Sequence, residues 1–145
     1  MRLSAYSDYS LRVLMYAALC HPARVTADQV SEVYGISRHH LVKIVHDLGR
    51  SGCIETHRGL GGGFTLALSA EEIGVGDIVR LGEESETVIE CTRRREGACR
   101  LRSVCRLKTV LDEAAAAFFE VLDRYSLADL IATQSPLRNA LGLNP

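Results

Sequence analysis

The chain has no tryptophan and only three prolines among its 145 residues, and nowhere do about 18 apolar residues run together. The last absence argues against a membrane span. No two cysteines stand as Cys-x-x-Cys, which removes the usual thiol-oxidoreductase pair and the knuckle of a common zinc site. No nucleophile–base set is organised along the sequence, and all five histidines fall within residues 1–68, so the chain does not read as an enzyme. A net charge of −1 offers no general argument for a nucleic-acid partner, which must rest on motifs instead. The opening Met1-Arg2-Leu3-Ser4 passes straight into a helical pattern, without the charged-then-apolar layout of a secretory leader. The expectation is a protein of the reducing cytoplasm, where five cysteines point to metal or redox chemistry before stable disulfides.

What is present is enough for a packed core: 47% of residues are hydrophobic and 24% charged, at a length that suits one domain or a small domain with an appended element. The near-zero net charge conceals strong segmentation. Residues 1–68 carry seven Lys/Arg against five Asp/Glu, and residues 69–90 one against seven. Residues 91–108 reverse to seven against one, and the remainder has two against five. Such alternation assigns different work to different stretches.

Leu11, Leu14, Met15, Ala18 and Leu19 recur at helical spacing across residues 7–20, and Pro22 follows. Thr26 is a suitable N-cap for a short helix ending at Gly35. Ser37 is a second N-cap, opening a helix with Leu41, Ile44, Val45 and Leu48 on its inner face. Two helices joined by a tight link are the layout of a helix-turn-helix. Alternating stretches at 53–57 and 64–68 flank Arg58-Gly59-Leu60-Gly61-Gly62-Gly63, a β-hairpin with a glycine-rich tip. A hairpin in that place makes a winged helix. Ser69 to Glu72 is expected to cap a short helix containing Ile73, Ile78 and Val79. A long helix over 106–125 carries Leu107, Val110, Leu111, Ala114, Phe118, Val121 and Leu122, and Ser126 caps a last short helix at 127–132. The fold class is mainly α with a small β-hairpin: a winged helix-turn-helix plus a long helix.

Three cysteines fall close together as Cys91-x7-Cys99-x5-Cys105. Thiolates are soft ligands for iron–sulfur clusters, zinc or copper(I). The wide spacing suits a bulky cluster, and Arg93, Arg94, Arg95, Arg100, Arg102 and Arg106 would offset its negative charge and help ionise the thiols. Zinc, a disulfide-type redox switch and plain core cysteines are the competing readings. A cluster on three cysteines also needs a fourth ligand from this chain, a second subunit or a small molecule. Cys20 and Cys53 read as small core residues.

Ser37, Arg38, His39, His40 and Lys43 stand where a recognition helix enters a major groove, with residue types suited to phosphates and base edges. Arg58, with Gly59 and Gly61 beside it, suits a wing inserted into a minor groove. The competing reading of the helix residues is an ordinary solvated helix end. His39 and His40 diverge by about 100° around a helix, a poor arrangement for shared metal ligation.

With helix-turn-helix, wing, cysteine segment and long helix in this order, the chain resembles the Rrf2 family of bacterial winged-helix regulators over nearly its whole length. The resemblance rests on Met1-Arg2-Leu3 with Ser7-Asp8-Tyr9, on Val33-Tyr34-Gly35-Ile36-Ser37, on the wing and on the three cysteines. Leu41-Val42-Lys43-Ile44-Val45, Cys105-Arg106-Leu107-Lys108 and Tyr125-Ser126-Leu127-Ala128-Asp129-Leu130 are most similar to the family's nitric-oxide-sensing repressors. The x7/x5 cysteine spacing is more similar to its iron-responsive members. The resemblance implies a homodimer built on the long helix and binding double-stranded operator DNA. It also implies a [4Fe–4S] cluster, or alternatively [2Fe–2S], on Cys91, Cys99 and Cys105, with Asp8 of the partner subunit as fourth ligand. Nitric oxide is the implied effector, with iron availability or oxygen acting through cluster loss as the alternative. The implied organisation is a DNA-binding domain at 1–80, a cluster-binding loop at 81–105, a dimerisation helix with a short capping helix at 106–132 and a C-terminal tail at 133–145.

Overall fold

The computed structural model describes residues 3–83 and 104–143. Ser4 opens α1 (Ala5–Cys20) by accepting the Ser7 N–H at 3.1 Å, the capping bond that removes one orphan donor. Thr26 and Gln29 form a reciprocal capping box at the start of α2 (Ala27–Tyr34), and Gly35 ends that helix at φ 65°. This left-handed residue makes the tight turn into α3 (Arg38–Arg50). Strands β1 (Ile54–His57) and β2 (Gly63–Leu66) pair antiparallel, with Ile54 opposite Leu66 and His57 opposite Gly63. Then come α4 (Val75–Gly82), α5 (Arg106–Leu122), α6 (Leu127–Leu130) and α7 (Gln134–Ala140). Mainly helical architecture with one hairpin is what the hydrophobic periodicity predicts.

Leu14, Leu41, Ile44, Leu48, Phe64, Ile78 and Leu127 form the fully buried centre, drawn from α1, α3, β2, α4 and α6. At about 1.5–3 kcal/mol per buried large apolar side chain, this core fixes α3 from its inner face. The hairpin is attached separately. Val25 and Phe64 exchange backbone hydrogen bonds at 3.0 and 2.8 Å, adding a one-residue third strand beside β2.

Four local expectations change. The turn at Ser69 does not start a helix: Glu72 bonds the Ser69 N–H and hydroxyl at 3.0 and 2.8 Å, closing an isolated turn, and α4 begins only at Val75. The intervening backbone is taken by the C-terminal region, with Ala128 N–H donating to Ala70, Leu127 N–H to Ile73 and Val75 N–H to the Tyr125 carbonyl. Ser37 occupies the N-cap position of α3 but makes no capping hydrogen bond. The long helix stops at Leu122, with Asp123 turned to Arg80 through two hydrogen bonds. Its inward contact is made by Ala115 and Phe119, while Leu107, Val110, Ala114, Ala117 and Val121 remain exposed. Residues 134–140, for which the sequence pattern suggested no element, form α7, and Arg138 donates to the Leu19 carbonyl at the end of α1.

Candidate nucleic-acid interface and cluster ligands

The first turn of α3 contains no acidic residue, and Ser37, Arg38, His39, His40 and Lys43 are all exposed. The free amide groups and positive end of a helix dipole here reinforce the charges of Arg38 and Lys43. Arg38 is steadied by an ion pair with Asp28 of α2, so the two helices of the motif share one charged contact. Lys43 lies 5.5 Å above the Tyr6 ring, and His40 stacks on Tyr9 with ring centres 6.4 Å apart. The rings of His39 and His40 are 6.2 Å apart, and no cluster of potential metal ligands occurs among the described residues.

The wing tip requires its glycines for two different reasons. Gly59 and Gly61 adopt φ 90° and 74° in open space, where an L side chain would be strained. Gly62 and Gly63 are crowded: an added Cβ would stand 2.7 Å from the His57 carbonyl oxygen at Gly62 and 2.5 Å from that of Val25 at Gly63. Gly62 N–H closes the turn onto the Gly59 carbonyl at 2.9 Å. Arg58 and Leu60 therefore project from a defined turn, and both are exposed. Arg24 reaches the Gly61 carbonyl at 3.4 Å, placing a second guanidinium beside the wing. Sequence reasoning missed Arg24, because its closeness to the tip depends on the non-local Val25–Phe64 bridge.

Asp8 sits in the first turn of α1 with its side chain 45% exposed, and both its carboxylate oxygens accept from Arg12 Nε, at 3.0 and 3.1 Å. Arg12 also stacks over Tyr34, 5.6 Å from the ring centre. Cys105 is a free, half-buried thiol in the N-cap position of α5. Cys91 and Cys99 lie outside the described residues, so the three sequence-predicted thiols are not placed relative to one another. Cys53 is buried in the core and its sulfur accepts from the Ser51 hydroxyl at 3.3 Å. Burial pushes the Cys20 thiol up, against the opposing influence of Arg138 and a Tyr16 hydrogen bond, which keeps it a poor thiolate donor.

Two contacts to the first turn of α1 were not legible in the sequence. Tyr6 donates its hydroxyl to Asp47 of α3 at 3.1 Å, and burial, followed by that hydrogen bond and charge, pushes the phenol up to about 12. Glu83, just beyond α4, accepts from the Ser4 N–H at 2.9 Å and the Ser7 hydroxyl at 2.7 Å. Burial raises its carboxyl, but these bonds outweigh it and hold the group below the usual glutamate value.

A family model described as an iron-dependent transcriptional regulator, Rrf2, matches residues 3–133. The chain belongs to the Rrf2 family. It is 43% identical over 142 residues to the HTH-type transcriptional regulator NsrR of Shouchella clausii, covering 97% of this chain and 95% of that protein. It is 40% identical over 142 residues to the regulator of the same name from Bacillus subtilis, covering 97% of each. Among solved structures, that of CymR, the global cysteine regulator of B. subtilis, superposes with a TM-score of 0.72 at 22% identity, covering 92% of this chain and 98% of that one. The winged-helix Rrf2 fold is thus shared, and the chain is a transcriptional regulator of the NsrR type. No described helix is long and apolar enough to cross a membrane.

Proposed function

We propose that this Rrf2 regulator is a cytoplasmic, homodimeric, DNA-binding repressor that senses nitric oxide through a [4Fe–4S] cluster held by Cys91, Cys99, Cys105 and Asp8 of the partner subunit. The carrying observation is the pairing of an exposed, acid-free recognition-helix start with an exposed wing arginine in an NsrR-type chain. The donor chemistry fits: Cys105 offers a soft, half-buried sulfur at the N-cap position of α5, and the half-exposed Asp8 is accessible from outside its own helix. The exposed stripe Leu107, Val110, Ala114, Ala117 and Val121 follows the three-four spacing of a coiled-coil seam, which supports pairing through α5.

Ser37, Arg38, His39, His40 and Lys43 approach a major groove, and Arg58, with the backbone at Gly59 and Gly61, an adjacent minor groove. What the cluster supplies when bound is iron open to nitric oxide. Asp8, which Arg12 holds one turn along its own helix, would be the ligand offered to the other subunit's cluster. A coupling of roughly 3 kcal/mol suffices for a change above 100-fold in operator affinity.

A second reading keeps the same protein but makes iron availability or oxygen the signal, with cluster loss as the event and [2Fe–2S] as the alternative cofactor. It is favoured by the seven-residue gap between Cys91 and Cys99 and by the family's description as iron-dependent. Anaerobic native mass spectrometry gives subunit, iron and sulfide counts. Titration with nitric oxide and with an iron chelator, while DNA binding is followed, separates the two signals. Equal DNA affinity of loaded, nitric-oxide-treated and apo protein would overturn both, and a colourless zinc protein would overturn the cluster.

A further inference from the structure

The first turn of α1 is clamped on two sides. On one side Glu83 Oε1 takes the Ser4 N–H and the Ser7 hydroxyl, while Ser4 Oγ donates to the Gly82 carbonyl at 3.1 Å. The approach is close enough that a Cβ on Gly82 would stand 2.3 Å from Ser7 Oγ and 2.8 Å from the Tyr6 ring. Ser7 is wholly buried, so this contact is shielded from water. On the other side Tyr6 holds Asp47, Lys43 covers the Tyr6 ring and Tyr9 stacks on His40, all three partners belonging to α3. Glu83 is also eight positions before Cys91 in the chain. One helical turn therefore connects Glu83, which precedes the cysteine-bearing stretch in the sequence, to the recognition helix of the same subunit. Packed interiors pass on small displacements instead of absorbing them.

We propose that Glu83 is a positioning residue that couples the cysteine-bearing stretch to α3 within one subunit, acting through Ser4, Ser7 and Tyr6. This intrasubunit route rests on the reading above that the cysteines carry the signal, and it is separate from the link made by Asp8. A capping role alone would predict the same loss of stability whatever the cluster does. A coupling role predicts that the difference between loaded and apo protein depends on Glu83.

The test uses full-length wild type, Glu83→Ala, Glu83→Gln and Tyr6→Phe, with a duplex enriched from a random-sequence library by wild-type protein. Affinity is measured on loaded and chelator-treated samples, alongside hydrogen exchange at residues 4–9 and 38–43. Glu83→Ala is expected to reduce the loaded-to-apo affinity ratio by about tenfold or more, and Tyr6→Phe to reduce it in the same direction. Glu83→Gln keeps the accepting oxygen and stays within about threefold of wild type. In Glu83→Ala, amides 4–9 exchange faster in both states and those at 38–43 no longer respond to loading. A wild-type ratio in Glu83→Ala, or an equal loss of affinity in both states, overturns this inference alone. A ratio of one in wild type itself overturns the proposed function and the inference with it.

Discussion

Arg80 grips Asp123 with both terminal nitrogens, at 2.6 and 2.8 Å, while its guanidinium lies 4.6 Å from the centre of the Phe119 ring. The pair joins α4 to the end of α5, and the Arg80 hydrogen bonds hold the Asp123 carboxyl below its usual value. Gly76 makes room for it, since a Cβ there would stand 1.9 Å from Asp123 Oδ1. Gly76→Ala should therefore displace Asp123 and lower the melting temperature as Asp123→Asn does. The double variant should be no worse than the more damaging single one, because both remove one contact. Additive losses in thermal melts would contradict this.

The two classes of wing glycine should respond differently to substitution. Gly63→Ala meets the Val25 carbonyl oxygen at 2.5 Å on a φ of 148°, and is expected to cost about 2 kcal/mol or more. Gly61→Asn occupies open space in a conformation asparagine tolerates, and should cost under about 1 kcal/mol. Urea denaturation gives both values directly, and equal costs would show that the Val25 contact does not hold the wing.

Charge contacts to DNA phosphates have a measurable signature in salt. Arg58→Ala and Lys43→Ala should each weaken binding and flatten the slope of log affinity against log salt by roughly one where the side chain meets a phosphate. A residue reading a base edge instead should leave that slope nearly unchanged while relaxing preference at one position. Anisotropy titrations at several salt concentrations distinguish the two, and an unchanged affinity for both variants removes these residues from the interface.

Glu83 also predicts a pH dependence with a definite sign. Its folded-state carboxyl lies below the ordinary value of 4.5, so its ionisation favours folding above that value and the benefit fades as pH falls through the lower folded value. Wild type should exceed Glu83→Ala in stability at about pH 7, and part of that margin should vanish by about pH 3. A margin that grows on acidification would show that burial, not the serine bonds, governs the group.

Much of this molecule was readable from local pattern. The Thr26 cap, the Gly35 turn and the buried Leu41, Ile44 and Leu48 follow from capping chemistry and helical period, and both act over a few residues. The wing could be recognised for the same reason, because its glycines serve turn geometry. The start of α4 could not. Ser69 and Glu72 carry an N-terminal helix signature, yet residues far along the chain claim the following backbone: Leu127 bonds Ile73 and Tyr125 bonds Val75. Local propensity is a weak prior against several tertiary hydrogen bonds.

The same division holds for the candidate site. Residue type and spacing alone single out Cys91, Cys99, Cys105, the basic start of α3 and Arg58, because ligand softness and charge belong to the side chains themselves. The contacts made by Glu83, Arg24 and Tyr6 could come only from the tertiary structure. Glu83 reads as one more acid in an acidic stretch until folding brings it to Ser4, 79 positions away, and Tyr6 as a helix aromatic until it meets Asp47, 41 positions away. Sequence determines which chemistry the chain can offer; long-range packing decides which of those groups touch.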